Sequence, residues 1–203
     1  MKKLLFALFL ALTVLVVSPL YCSAGALRDG YKEFAISGVG TAQLPNAVTP
    51  AEAVGTENMK NMESQYDLSS SDQAGLHYAR LVIYKDTRDM GPVLSLVDMV
   101  EFKPELITMM SNMGKKMISQ KLEEQGATLI EWLPAAKAKI LNHNGVQMGS
   151  RFTLTEKFPL PMFAMVAVYP QDGKLTGLAI LCPDTDRLYW QPLFTRLIAS
   201  VHS

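Results

Sequence analysis

The sequence predicts an α+β fold, a mostly antiparallel β-sheet covered by helices on both faces as an α/β/α sandwich, and three observations carry that expectation. Phe163-Ala164-Met165-Val166-Ala167-Val168 and Leu178-Ala179-Ile180-Leu181 are continuously apolar instead of alternating, the pattern of strands whose two faces are both covered. Asn142-His143-Asn144-Gly145 and Pro170-Gln171-Asp172-Gly173-Lys174 are turn signals, which join neighbouring strands as antiparallel hairpins. Two stretches repeat apolar residues at helical spacing, one in mid-chain and one at the C-terminus, without the β-α-β-α alternation of a Rossmann-type domain.

The chain begins with Met1-Lys2-Lys3, an uncharged apolar run from Leu4 to Val17, Pro19, and then the small residues Ser23, Ala24, Gly25 and Ala26. That is the order of a secretory signal peptide over residues 1–26, with cleavage after Ala24 or Ala26; an uncleaved anchor is the alternative, since no charge occurs between Lys3 and Arg28. A lipoprotein reading at Cys22 is disfavoured by the bulky Tyr21 before it. Residues 27–203 then form a single α/β domain, expected in the periplasm or outside the cell. Loss of Lys2 and Lys3 turns a balance of 19 basic and 19 acidic residues into a mildly acidic one. Cys182 becomes the sole thiol, so a packed core rather than a disulfide must stabilise the domain. A charge this close to neutral argues against a nucleic-acid or anionic-lipid coat protein.

Tyr31 to Val39 alternates Phe34 and Ile36 with polar or small neighbours and runs into Gly38-Val39-Gly40, a strand ending in a turn before Leu44-Pro45. Asn46 to Asp72, closing on Ser69-Ser70-Ser71-Asp72, is weakly patterned and suggests a long connection with a short helix around Thr56 to Gln65. A strand follows from Gly75 to Lys85, with Leu81 and Ile83 on one face, and Asp86 to Lys103 bridges to the mid-chain helix. Pro104-Glu105 suits a first helical turn, because proline needs no donor there and a carboxylate favours the positive end of the helix dipole. Leu106, Ile107, Met110, Met113, Met117, Ile118 and Leu122 recur on it, and Gly126 stops it. Ala127 to Leu133, Ala136 to Leu141 and Gly145 to Glu156 read as strands, as do Met162 to Tyr169 and Leu175 to Cys182. Trp190, Leu193, Phe194, Leu197, Ile198 and Val201 form the last helix, started by Pro192 after an Asp184 or Asp186 cap.

In this order of elements the chain resembles the PsbP-like α/β/α sandwich family, which includes extrinsic photosystem subunits and small bacterial envelope proteins such as DcrB. The resemblance covers Tyr31 to Ser203 and rests on the early strand ending near Leu44-Pro45, the mid-chain helix, the run of strands, and Trp190 with Ile198-Ala199-Ser200-Val201. It implies a binding or assembly protein rather than an enzyme, and transfers no site residue.

Catalytic and metal motifs are sparse. His143 falls in a turn and His202 at a frayed end, so His77, read as a solvent-facing histidine at a strand start, is the remaining candidate base. No Gly-x-Ser-x-Gly elbow accompanies it. Cys182, between an apolar run and Pro183, reads as a small buried hydrophobe. The rival to a binding protein is therefore an envelope hydrolase or thiol enzyme using Cys182 or a Ser near His77. Asp184/Asp186 and Asp86/Asp89 are too short for a metal cage, and no metal or cofactor is expected. Lys115, Lys116, Lys121, Lys137 and Lys139 read as a solvated face interrupted by Glu123, Glu124 and Glu131.

Methionine is the one enrichment, 12 in total, with Met59 and Met62 in the connection and Met109, Met110, Met113 and Met117 on one helix. Thioethers at i, i+4 and i+8 suit soft Cu(I), but the same spacing is a core stripe, or an adaptable groove for an apolar ligand or partner protein. The groove reading makes Met109, Met110, Met113 and Met117 the candidate site.

Overall fold

In a computed structural model, the described residues are 27–53, 61–86, 102–154 and 160–203. The signal segment with its cleavage site and Cys22, Met59 with part of the first connection, and Asp89 with most of the second lie outside these residues.

The elements are β1 (Tyr31–Ile36), β2 (Gly40–Pro45), β3 (Thr49–Glu52), β4 (Met62–Asp72), β5 (Gly75–Lys85), α1 (Pro104–Glu124), β6 (Leu129–Ile140), β7 (His143–Thr153), β8 (Pro161–Gln171), β9 (Lys174–Pro183) and α2 (Arg187–Ser200). A single 3-10 turn, Asp184–Asp186, precedes α2. Seven strands form one sheet in the order β3-β4-β5-β9-β8-β7-β6, every neighbouring pair antiparallel, while β1 and β2 pair as a separate hairpin. The two continuously apolar segments are β8 and β9, next to each other inside the sheet, and along β8 buried residues alternate with half-buried ones.

Local signals explain the ends of α1. Pro104 occupies its first turn, and Gly126 at φ 70° closes it. The Ala127 N–H donates to the Leu122 carbonyl at 2.8 Å and the Gly126 N–H to that of Glu123 at 3.0 Å, the paired bonds of a Schellman motif. Leu122 and Ala127, both buried, supply its apolar contact.

The core gathers alternate residues of the strands, among them Leu68, Leu81, Ile83, Phe163, Met165, Leu178 and Ile180, against Trp190, Phe194, Leu197 and Ile198 of α2. Phe34, Ile36 and Leu44 of the hairpin complete it. The chain end is tied down: Thr41 and His202 exchange backbone bonds of 2.8 Å in both directions, so His202 is not frayed as its position suggests. Gly40 is required at that contact, because a Cβ there would lie 2.5 Å from the His202 carbonyl oxygen, at a φ of +146°.

Several local expectations are corrected. The strand over 31–39 ends at Ile36 in the expected turn, but Gly40 opens a second strand, β2, that returns along β1 as a hairpin. The long connection through Asp72 contains β3 and β4, and Gln65 and Ser69-Ser70-Ser71 are strand, not helix or loop. Register pairing to β5, which puts Tyr66 opposite Leu81 and Leu68 opposite Ala79, overrides the weak strand preference of serine. The two segments around 129–140 are one strand, β6, with register shifts between Leu129 and Glu131 and between Leu133 and Ala136, where Pro134 lies. The β6–β7 turn is Leu141-Asn142, both at positive φ, which leaves His143 to Gly145 inside β7. Pro192 lies inside α2, which starts at Arg187, and Asp186 precedes it without a side-chain capping bond.

Candidate functional site

Helix α1 packs on β6 and β7 through small residues. The Ser111 hydroxyl accepts the Trp132 indole N–H and the Ala135 backbone N–H, each at 3.0 Å. A Cβ on Gly114 would stand 2.7 Å from the Met148 sulfur and 3.3 Å from the Trp132 ring. Two large side chains project from the sheet at this place, so the helix presents a hydroxyl and a bare backbone to them. Ser111 and Leu122 are the buried residues of α1.

That contact turns the methionine row outward. Met109, Met113 and Met117 are 52%, 58% and 64% exposed, and Met110 is partly buried. The expected core placement of Met113 and Met117 is therefore corrected: the apolar period is real, but the core takes the neighbouring stripe. Ser111 and Gly114 were missed because neither is apolar. Their signal in the sequence is spacing, since Ile107, Ser111, Gly114, Ile118 and Leu122 also follow intervals of three and four. The cationic side chains Lys115, Lys116, Lys121, Lys137 and Lys139 are exposed, as expected of a solvated face.

The second polar constellation joins distant parts of the chain. His77 is 9% exposed, not solvent-facing, because it continues the inward series of Ala79, Leu81 and Ile83 on β5. Its Nε2 lies 3.1 Å from Asp72 and its Nδ1 3.3 Å from Asp186. The ring stacks on Tyr189 at a centroid distance of 4.2 Å and 8° between planes. The other Asp186 oxygen accepts the Tyr78 N–H at 3.0 Å, and the Tyr189 hydroxyl bonds Ser70 at 2.7 Å. Burial pushes the imidazole down, but the hydrogen bonds and charges of Asp72 and Asp186 prevail and hold it above its ordinary value. Asp72 is held below its ordinary value by the bond from His77 and by the backbone N–H of Ala74. An imidazole engaged at both nitrogens by carboxylates offers no lone pair to a serine.

Asp184, expected as a helix cap, is instead held by Arg151: Nε and Nη2 reach its two oxygens at 2.8 and 2.7 Å, while Nη1 reaches Glu131 at 2.9 Å. The Arg151 bond keeps the Asp184 carboxyl below its ordinary value. Together Arg151 and His77 fasten the turn before α2 to β7 and to the β4–β5 hairpin.

Cys182 is 1% exposed, and burial, with the nearby charges of Asp186 and Asp184, pushes its thiol up to about 12. At neutral pH a thiolate population is negligible. Cys182 in the native protein is expected to resist iodoacetamide at pH 7 for hours and to be labelled after denaturation; rapid labelling of Cys182 in the native protein would reverse this assignment. Among the described residues, no three His, Cys, Asp or Glu side chains converge on a metal position, and no helix is long and apolar enough to cross a membrane.

A separate open cleft of about 520 Å³ lies on the sheet. Ala51, Asp67, Tyr78, Arg80, Met162 and Leu181 are among the residues lining it, and Arg80 Nε and Nη2 bond Asp67 at 2.8 and 3.3 Å at its polar side.

The fold is PsbP-like, an α+β arrangement of a mostly antiparallel sheet with two helices. It matches the solution structure of cyanobacterial PsbP (CyanoP) from Synechocystis sp. PCC 6803 with a TM-score of 0.51 at 13% identity, over 91% of this chain and 99% of that one. LpqN of Mycobacterium tuberculosis, described as involved in cell envelope biogenesis, aligns at a TM-score of 0.43 and 10% identity over 85% of this chain and 89% of its own. The Ran-binding protein Mog1p of Saccharomyces cerevisiae aligns at 0.41 and 14% identity over 86% and 87%. At such identities the likeness is one of fold, and the first of the three carries it. No protein-family model and no curated protein matches the sequence.

Proposed function

We propose that this chain is an exported, non-enzymatic binding or assembly protein of the cell envelope, which meets a partner protein or a small apolar ligand through Met109, Met110, Met113 and Met117. The observation that carries the reading is the outward methionine row on a helix whose other side is fixed to Trp132 and Met148. Unbranched thioether side chains adapt to irregular apolar surfaces, and an exposed row of them is costly to leave in water unless something covers it. Supporting the non-enzymatic part are the buried Cys182 and the doubly engaged His77. Supporting export is the basic, apolar and small-residue order of residues 1–26, with a periplasmic or extracellular domain from residue 27. The layered arrangement, a sheet between helices on its two faces, belongs to the same proposal.

The test is a photo-crosslinking residue at Met113 in intact cells. A covalent adduct is expected there and not at exposed Lys137, and an equal yield at both positions removes the reading. The cleft beside Arg80 and Asp67, which none of these methionines lines, supports a second reading in which a small apolar ligand binds there instead. Neutral N-phenyl-1-naphthylamine is expected to bind saturably there and to be lost in Leu181→Glu; unchanged binding in that variant removes the cleft from consideration.

A further inference from the structure

The methionine row has charged ends. Glu105, Met109, Met113, Met117 and Lys121 stand at successive four-residue intervals, so they form one continuous ridge of α1, and all five are exposed. Reversing the direction of such a ridge leaves its apolar centre unchanged and exchanges its charges. A ridge with an acid at one end and a base at the other is complementary to itself when two copies run antiparallel.

We propose that the occupant of this surface is a second copy of the chain, docked antiparallel through α1 about a two-fold axis near Met113. The axis sets Met109 against Met117 of the second copy and Glu105 against Lys121 of the second copy, twice over by symmetry. This proposal rests on the methionine row being a contact surface and specifies what it contacts. Lys115 and Lys116 flank the ridge rather than lie on it. The sheet side of α1 is engaged by Trp132, Ala135 and Met148, so pairing through the outer ridge leaves those contacts in place. Three half-exposed methionines cover less than the roughly 800 Å² per partner of a standard interface, so the pair is weak and concentration-dependent.

A single helix also favours an acid in its first turn and a base in its last, and Lys121 has an ion pair with Glu124 of its own helix. Charge exchange separates these causes. The protein, produced from its full-length gene and purified in the form the cell yields, is examined by sedimentation from about 1 µM to 1 mM, the range of weak association. The expected result is a mass rising from one copy towards two, and a single copy throughout for Met113→Asp. Glu105→Lys and Lys121→Glu each weaken association about five- to tenfold, and the two together restore it, since opposite charges again face each other. For the helix dipole alone the double variant is the worst of the three. Circular dichroism of each variant confirms that α1 is retained.

A double variant as weak as the singles, or a native protein monomeric across the range, overturns the proposal. In the second case, a Met113 crosslink to a different protein leaves the binding role standing with another partner, and no crosslink removes both.

Discussion

Trp190→Ala is expected to cost about 3–5 kcal/mol of stability, whereas Trp190→Phe leaves stability nearly unchanged. Trp190 is among the largest fully buried side chains and sits on α2 where the helix meets the sheet core, edge-on to Tyr189 at 5.0 Å. Truncation to alanine opens a cavity that Phe194, Leu197 and Ile198, themselves close-packed, cannot collapse to fill. Phenylalanine keeps most of the ring volume and also removes a polar atom, because the buried indole nitrogen donates to no protein acceptor. The loss of area and the relief of an unsatisfied donor then oppose each other at about 1–2 kcal/mol apiece. For a domain of this length the alanine variant should melt about 6 to 20 °C below the native protein. Thermal unfolding followed by circular dichroism decides it. A phenylalanine variant as unstable as the alanine one would mean that the N–H, and not the ring volume, makes the important contact.

The importance of Trp190 was legible in the sequence, and so were both ends of α1 and the two central strands, because each depends on neighbours along the chain. Pro104 and Gly126 act within one turn, and the apolar runs of β8 and β9 report burial at once. The rotation of α1 about its axis was not legible. Two rows on that helix have helical spacing, one of methionines and one running through Ser111 and Gly114, and hydrophobicity favours the first. What selects the second is the projection of Trp132 and Met148 from the sheet, a matter of shape between segments far apart in the chain. The His77 cluster failed for a related reason: Asp186 lies 109 residues away. Period two, extended back from Ile83 and Leu81 through Ala79, is the sequence signal that points His77 inward. Ser69-Ser70-Ser71 has low intrinsic strand preference, but the alternation of Tyr66, Leu68 and Ser70 into the core prevails over it.

The second large effect expected is a loss of stability as the pH rises above about 6.5, removed in His77→Gln. His77 in the native protein is held above the ordinary imidazole value of 6.5 despite its burial, because as a cation it donates to both Asp72 and Asp186. A group whose pKa is raised by folding contributes its full stabilisation below the unfolded value and loses it as pH climbs through the folded one. Deprotonation leaves a lone pair facing one of the two carboxylates, at the junction of the β4–β5 hairpin with the turn before α2. The carboxylates set the acid side by the opposite sign. Asp72 and Asp184 are both held below the ordinary carboxylate value of 3.8, so their contribution exists above that value and disappears as pH falls through the folded one. Maximum stability is therefore expected between about pH 4 and 6.5, on the acid side of neutrality. Glutamine at position 77 donates from one end only and carries no charge, which should cost about 2–4 kcal/mol at pH 6 and distinctly less at pH 8.5. Urea unfolding at the two pH values gives both differences. Parallel stability profiles for the native protein and His77→Gln would show that the pH dependence originates elsewhere, and a native His77 ring resonance titrating below pH 6.5 would show that burial, not the aspartate pair, governs the imidazole.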